Sequence, residues 1–359
     1  MWKSAVQQFP PAYFTMVMAT GIISLAAHGL RLEGVANGFF YLNLGLYPLF
    51  VLLLLGRVLG FFAGVRAELA SHETGASYLA LVPATCMVGN QFAVLRGNPV
   101  VGEALWVAGA LCWGLLLYAF LLGVMTRREK PPLETALTGS WLLLVVATQS
   151  LAVLGATLLP GRPPDGTGVF VVLSLFLLGS LLYVMLSTLL FYRLAFGQLS
   201  AGAVSAPYWI SVGGSAISAL AGASLLGALR QTPALADVAG VVKGVSVLFW
   251  AVSTWWIPLV FTLRAWHHLR GRPAFAYRPT DWSMVFPLGM YTAATWRLAA
   301  ALPLPALHVV AAYFIYVALL AWGLTLGAML YHLARGAGRL AAGPPNEPGR
   351  RPAVAARPG

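Results

Sequence analysis

Apolar residues run along this chain in long blocks, without the apolar/polar alternation of a half-buried strand. An α-helix crosses the hydrocarbon core of a bilayer in about 20 residues. Ten blocks reach that length, at 12–30, 39–59, 77–95, 104–125, 138–158, 169–192, 207–229, 244–265, 283–302 and 309–331. Several are bounded by proline, glycine or charge, as at Pro10-Pro11, Arg127-Arg128-Glu129-Lys130-Pro131-Pro132 and Arg270-Gly271-Arg272-Pro273. Run length and lack of alternation exclude a transmembrane β-barrel. The first block is not read as a secretory signal, because little charge precedes it and Thr20 and Ser24 interrupt it. The pattern predicts an all-α polytopic membrane protein, with a ten-helix domain over 1–333. Residues 334–359 are Gly/Pro/Ala/Arg-rich and aperiodic, and are expected to form a disordered basic tail.

The blocks alternate in composition. Gly, Ala, Ser and Thr make up 47 of 102 residues in the odd spans but 29 of 112 in the even ones; leucine goes the other way, 18 against 33. Small residues let helix backbones approach closely, and hydroxyls can face a water-filled path. Five helical hairpins are therefore expected, with the odd helices inside around a central pore and the even, leucine-rich helices facing lipid. Span eight fits poorly, having three leucines. Breaks in helical regularity are expected at the pore from Gly21, Pro83, Gly213, Gly214, Pro287 and Gly289. The outer spans carry Pro48 and Pro258 as well, so proline alone does not mark a pore.

Composition agrees with the span count. The chain is 59% hydrophobic and 9% charged, against roughly 25% charged for a soluble domain, and its mean hydropathy is +0.80. Charge then sets the orientation. Of 22 Lys and Arg residues, 16 fall on the side of the two termini and six on the other. The positive-inside rule makes both termini cytoplasmic, in a multi-pass protein expected in the plasma membrane. That placement absorbs most of the net charge of +12 as topology, so a nucleic-acid partner is not expected.

The spans as drawn contain no Asp or Glu; Glu103, Asp237 and Asp281 sit at their edges. Proton relays and cation pathways in membranes use buried carboxylates, whereas the ionisable residues near these span ends are Arg57, Arg193, Lys243 and Arg297. A path of hydroxyls, small residues and a few cations favours anions. Arg57 and Arg193 are also explained by snorkelling to the interface. Lys243 and Arg297 lie where positive charge is disfavoured and are the candidates for anion attraction. Thr20, Thr85, Gln149, Ser215 and Thr292 are the candidate pore lining. The six histidines do not cluster as metal ligands, and two cysteines in different spans make no disulfide framework. No P-loop, GxSxG, HExxH or dinucleotide motif is present, so no enzyme activity, cofactor or metal is expected.

Three segments resemble a known family. Phe9-Pro10-Pro11-Ala12-Tyr13-Phe14-Thr15-Met16-Val17-Met18-Ala19-Thr20-Gly21-Ile22 is similar to the opening helix of the tellurite-resistance/dicarboxylate transporter family. That family includes bacterial tellurite-resistance proteins, fungal malate and sulfite transporters and plant slow anion channels. Val82-Pro83-Ala84-Thr85-Cys86-Met87-Val88-Gly89-Asn90-Gln91 is a weaker match. Trp282-Ser283-Met284-Val285-Phe286-Pro287-Leu288-Gly289-Met290-Tyr291-Thr292-Ala293-Ala294-Thr295 resembles the family's ninth helix. In span count and order the resemblance covers about 1–333. It implies five hairpins around a pseudo-fivefold axis, homotrimers with one pore per subunit, and a pore-occluding phenylalanine for which Phe286 is the match. A phenylalanine in a membrane helix is otherwise usually packing.

The resemblance also implies a transported small anion, either inorganic or a C4-dicarboxylate. Coupled export of sulfite or tellurite-related species is the alternative, and a receptor or scaffold without transport a more distant one. With about ten residues before the first span, regulation through a phosphorylated N-terminal tail is not expected.

Overall fold

The computed structural model describes residues 2–160, 166–197, 206–271 and 277–341. Ten long helices dominate: α1 (Phe14–Gly29), α2 (Glu33–Gly60), α3 (Leu81–Leu95), α4 (Pro99–Met125), α5 (Leu143–Leu158), α6 (Thr167–Phe196), α7 (Ile210–Gln231), α8 (Ala239–Gly271), α9 (Trp282–Ala301) and α10 (Pro305–Ala341). No strand occurs among the described residues. The protein is an all-α polytopic membrane protein.

Nine of these helices, α1 to α8 and α10, are long and apolar enough to cross a membrane. This differs from the ten expected. At 20 residues α9 has the length, but Arg297, Ser283, Thr292, Thr295, Tyr291, Pro287 and two tryptophans lower its hydropathy. Protein, rather than lipid, surrounds it: 15 of its residues are buried.

The odd helices close a ring. α1 packs on α3, α3 on α5, α5 on α7, α7 on α9 and α9 on α1. Each even helix packs against the odd helix before it in sequence, and each also touches the next odd helix around the ring. Burial follows: 72–89% of the most apolar stretch is buried in α1, α3, α5 and α7, but at most 44% in any even helix. Leu52, Leu111, Leu181 and Leu320 on the even helices are exposed, as a lipid-facing surface requires.

The even helices are longer than the apolar blocks, at 27 to 37 residues. Glu33, outside the spans as drawn, falls in the first turn of α2, where a carboxylate is favoured by the helix dipole, and Glu103 lies one turn into α4. Residues 334–341, expected in the tail, are helical. They continue α10, where Ala, Arg and Leu are good helix formers and Gly336 and Gly338 do not end the helix. Residues 342–359 lie outside the described residues, as do Arg162 and Arg272.

Polar side chains hold the two layers together. Trp113 Nε1 on α4 donates to Thr148 Oγ1 on α5 at 2.9 Å, and Trp250 Nε1 on α8 donates to Thr295 Oγ1 on α9 at 2.9 Å. In hydrocarbon a lone donor has no water to turn to, so such pairs are where indole and hydroxyl groups satisfy one another.

Candidate functional site

Each ring helix is preceded by a turn of 3-10 helix: Pro11–Tyr13, Gly75–Ala80, Gly139–Leu142, Ala206–Trp209 and Pro279–Asp281. These five lead-in turns touch one another in the same cyclic order as the helices they precede. All five ring helices therefore begin at one mouth, with their positive dipole ends together. The packing there is close. A Cβ on Gly139 would lie 2.3 Å from the Pro207 carbonyl oxygen of the next turn, so only glycine fits.

Phe286 sits one turn into α9 and is 1% exposed. Nine residues, two and a half turns, separate it from Thr295, so the two side chains leave opposite faces of α9. Thr295 bonds outward to α8, so Phe286 points away from that outer helix. Its ring lies against Gly213 of α7, where a Cβ would stand 2.9 Å from Phe286 Cε1. Pro287 lacks an N–H, which leaves the Ser283 carbonyl without its α-helical donor one turn nearer the mouth.

The other expected breaks have different roles. Pro83 is the third residue of α3, in the first turn, where no helical donor is lost and no kink is forced. Gly21, Gly213, Gly214 and Gly289 lie within unbroken helices. They are contact points: Gly21 against Asn43 and Met87, Gly214 against Tyr183, Gly289 against Ile22 and Ile23.

Four of the five lining candidates face the outer layer. Thr20 Oγ1 accepts from Trp322 Nε1 on α10 at 3.0 Å. Thr85 Oγ1 pairs with the Tyr47 hydroxyl on α2 at 2.9 Å. Gln149 Nε2 donates to the Phe176 carbonyl on α6 at 3.1 Å. Ser215 Oγ is 2.7 Å from Ser253 Oγ on α8. A hydroxyl buried in a membrane protein is drawn to a partner on a neighbouring helix, and composition does not show which way the helix is turned. Thr292 donates to the Leu288 carbonyl of its own helix at 2.9 Å. Two residues on from Thr20, Thr85 and Ser215, the opposite faces carry Ile22, Met87 and Ile217, all fully or nearly buried. The axis is thus mostly apolar.

The two candidate cations separate. Arg297 is exposed and shares the Phe286 face of α9, about 16 Å beyond it by the rise per residue. Lys243 is exposed on α8, an outer helix. It stands in the outer layer, away from the ring of odd helices.

At the mouth with the lead-in turns, a cavity of about 900 Å³ is lined by Pro11, Ser77, Ser140 and Thr280 from four of those turns, and by Arg57 and Glu68. The sequence pattern does not single out Ser77, Ser140, Thr280 or Glu68 among them. A Ser or Thr within the lead-in turn of spans three, five and nine was the available signal. Asp281 adjoins Thr280; burial raises its carboxyl above the ordinary value, opposed by the Arg278 N–H that donates to its Oδ2 at 2.8 Å. Burial likewise raises the Tyr277 phenol, which accepts from Trp282 Nε1 at 3.1 Å.

Comparison with known proteins extends over nearly all of this architecture. Residues 8–330 match the family described as voltage-dependent anion channel. An uncharacterized membrane protein of Mycobacterium tuberculosis is 39% identical over 158 residues, 44% of this chain and 80% of the relative. An uncharacterized transporter of Methanocaldococcus jannaschii is 24% identical over 310 residues, covering 82% of this chain and 85% of the relative. A sulfite efflux pump of Arthroderma benhamiae is 26% identical over 351 residues, 91% of each chain.

Proposed function

The chain belongs to the voltage-dependent anion channel family, and we propose that it passes small anions along the axis of α1, α3, α5, α7 and α9, with Phe286 as the constriction. Anion transport follows from the family; the route, the gate and the substrate are the proposal. It is supported by the closed ring of buried helices and by the buried Phe286 ring, which packs against Gly213 of α7. An aromatic ring across an apolar path blocks ions by excluding water and polar partners from the narrowest point. α9 crosses the bilayer with the other nine helices, its polar residues shielded by them.

The mouth formed by the lead-in turns is the cytoplasmic one, by the distribution of Lys and Arg. Anions meet five helix N-termini there, and Arg297 supplies positive charge at the far end. Substrates are inorganic anions or C4-dicarboxylates, the protein sits in the plasma membrane, and the assembly is a homotrimer with one path per subunit. Coupled export of sulfite is the second reading, favoured by the fungal sulfite efflux pumps that align over 91% of this chain. The deciding experiment is flux of chloride, nitrate, sulfite and malate into proteoliposomes, for wild type and Phe286→Ala, with and without a pH gradient. Unchanged flux in a correctly inserted Phe286→Ala protein removes the gate. A strict need for the pH gradient selects coupled export.

A further inference from the structure

Arg57 lies in the last turn of α2 and is 7% exposed. Its Nη1 donates to the Phe9 carbonyl at 2.9 Å and to the Tyr78 hydroxyl at 3.3 Å. Its Nη2 donates to Glu68 Oε1 at 2.5 Å, and the Tyr78 hydroxyl donates to Glu68 Oε2 at 2.9 Å. Both oxygens of one carboxylate are thus held by two fixed donors, an arrangement that recognises a carboxylate or other oxyanion. Arg57 and Glu68 both line the 900 Å³ cavity at the mouth of the ring.

We propose that Arg57 and Tyr78 form an oxyanion receptor at this mouth, and that Glu68 is its resident occupant, displaced by each arriving carboxylate or oxyanion. The inference rests on the transport reading, which makes this mouth a way in. The two partners differ in freedom: the Arg57 side chain is 8% exposed and the Glu68 side chain 39%. Arg57 keeps its bond to Phe9 throughout, while Glu68 rides on the short helix Phe62–Leu69 and can turn out to water. Exchange of one carboxylate for another never leaves the buried guanidinium unpaired, a state that is strongly unfavourable. A liquid water occupies about 30 Å³, so the cavity holds a small oxyanion with part of its hydration. A spherical halide cannot reach both donors as two oxygens do, so the receptor favours oxyanions over chloride.

The test is calorimetric titration of malonate and of chloride into the purified full-length chain at neutral pH. Removing the competing charge with Glu68→Gln is expected to tighten malonate binding about tenfold, as loss of a charge-assisted competitor allows, and to leave chloride unaffected. Adding Tyr78→Phe is expected to cancel most of the gain. Unchanged malonate binding in a monodisperse Glu68→Gln protein, or equal tightening for chloride, overturns the receptor and leaves a structural ion pair. If Glu68→Gln does not fold, Glu68→Asp serves, with a smaller gain expected and no gain overturning the proposal. Flux through Phe286→Ala decides the transport reading separately. Flux without tightened binding rejects the receptor alone, and tightened binding without flux rejects transport.

Discussion

α5 and α6 are consecutive in the chain and packed together, yet they meet their surroundings differently. α5 buries 15 of its 16 residues. α6 buries seven of 30. The first spends its surface on other helices, so it uses Gly155 where Val172 of α6 comes close. The second spends most of its surface on lipid, which rewards bulk and apolarity, and it exposes Leu177, Leu181 and Leu189. The difference recurs around the ring. Polar side chains do not mark water in this protein; they mark the seam between the two layers, where Thr20, Thr148, Ser215 and Thr295 find partners.

The comparison can be broken at the axis first. Phe286→Ala is expected to raise anion flux about tenfold or more, since opening an apolar constriction by even ~1.4 kcal/mol gives that factor; liposome flux reads it. At the ring of lead-in turns, Gly139→Ala forces a Cβ onto a backbone oxygen. A loss of about 3 kcal/mol, at the upper end for overpacking, is expected as a large fall in melting temperature in detergent.

Three glycines sharpen the contrast between layers. Gly213→Ala pushes the Phe286 ring and is expected to cost about 1–2 kcal/mol and to change flux. Gly244→Ala and Gly323→Ala on outer helices meet nothing within 4 Å and are expected to be neutral or slightly stabilising, by ~0.5 kcal/mol. Equal melting temperatures for the inner and outer substitutions would sink the layering argument. The seam gives the smallest effect. Trp113→Phe leaves Thr148 with only its own helix's Leu144 carbonyl, at an expected cost of about 0.6–1 kcal/mol.

Particular residues show how much was legible. Phe286 stands in the motif of the ninth span, and the fold buries it against Gly213 of α7. Arg297 was singled out because its charge stood on the wrong side of the membrane, and it does share the Phe286 face. Thr20, Thr85, Gln149 and Ser215 were assigned to the lining because they are polar in inner spans. Their hydrogen bonds point the other way, because a buried polar group seeks a partner before it seeks a pore. Lys243 stands out by its side of the membrane, and side does not distinguish an inner from an outer helix. Arg57 was seen only as a snorkelling cation. Its partners Phe9, Glu68 and Tyr78 come from three other segments, 48, 11 and 21 residues away.

What the chain determined by itself is what depends on composition over one helix length: membrane insertion, the helical blocks, and which of them would be small-residue helices and which leucine-rich. These follow from the thickness of the bilayer and from the chemistry of lipid, which every segment meets alone. Helix rotation, the cyclic order of α1, α3, α5, α7 and α9, the seating of Phe286 on Gly213 and the Arg57–Glu68–Tyr78 cluster depend on which neighbour each face meets. Only the packed protein supplies those neighbours, so the tertiary structure alone decides them.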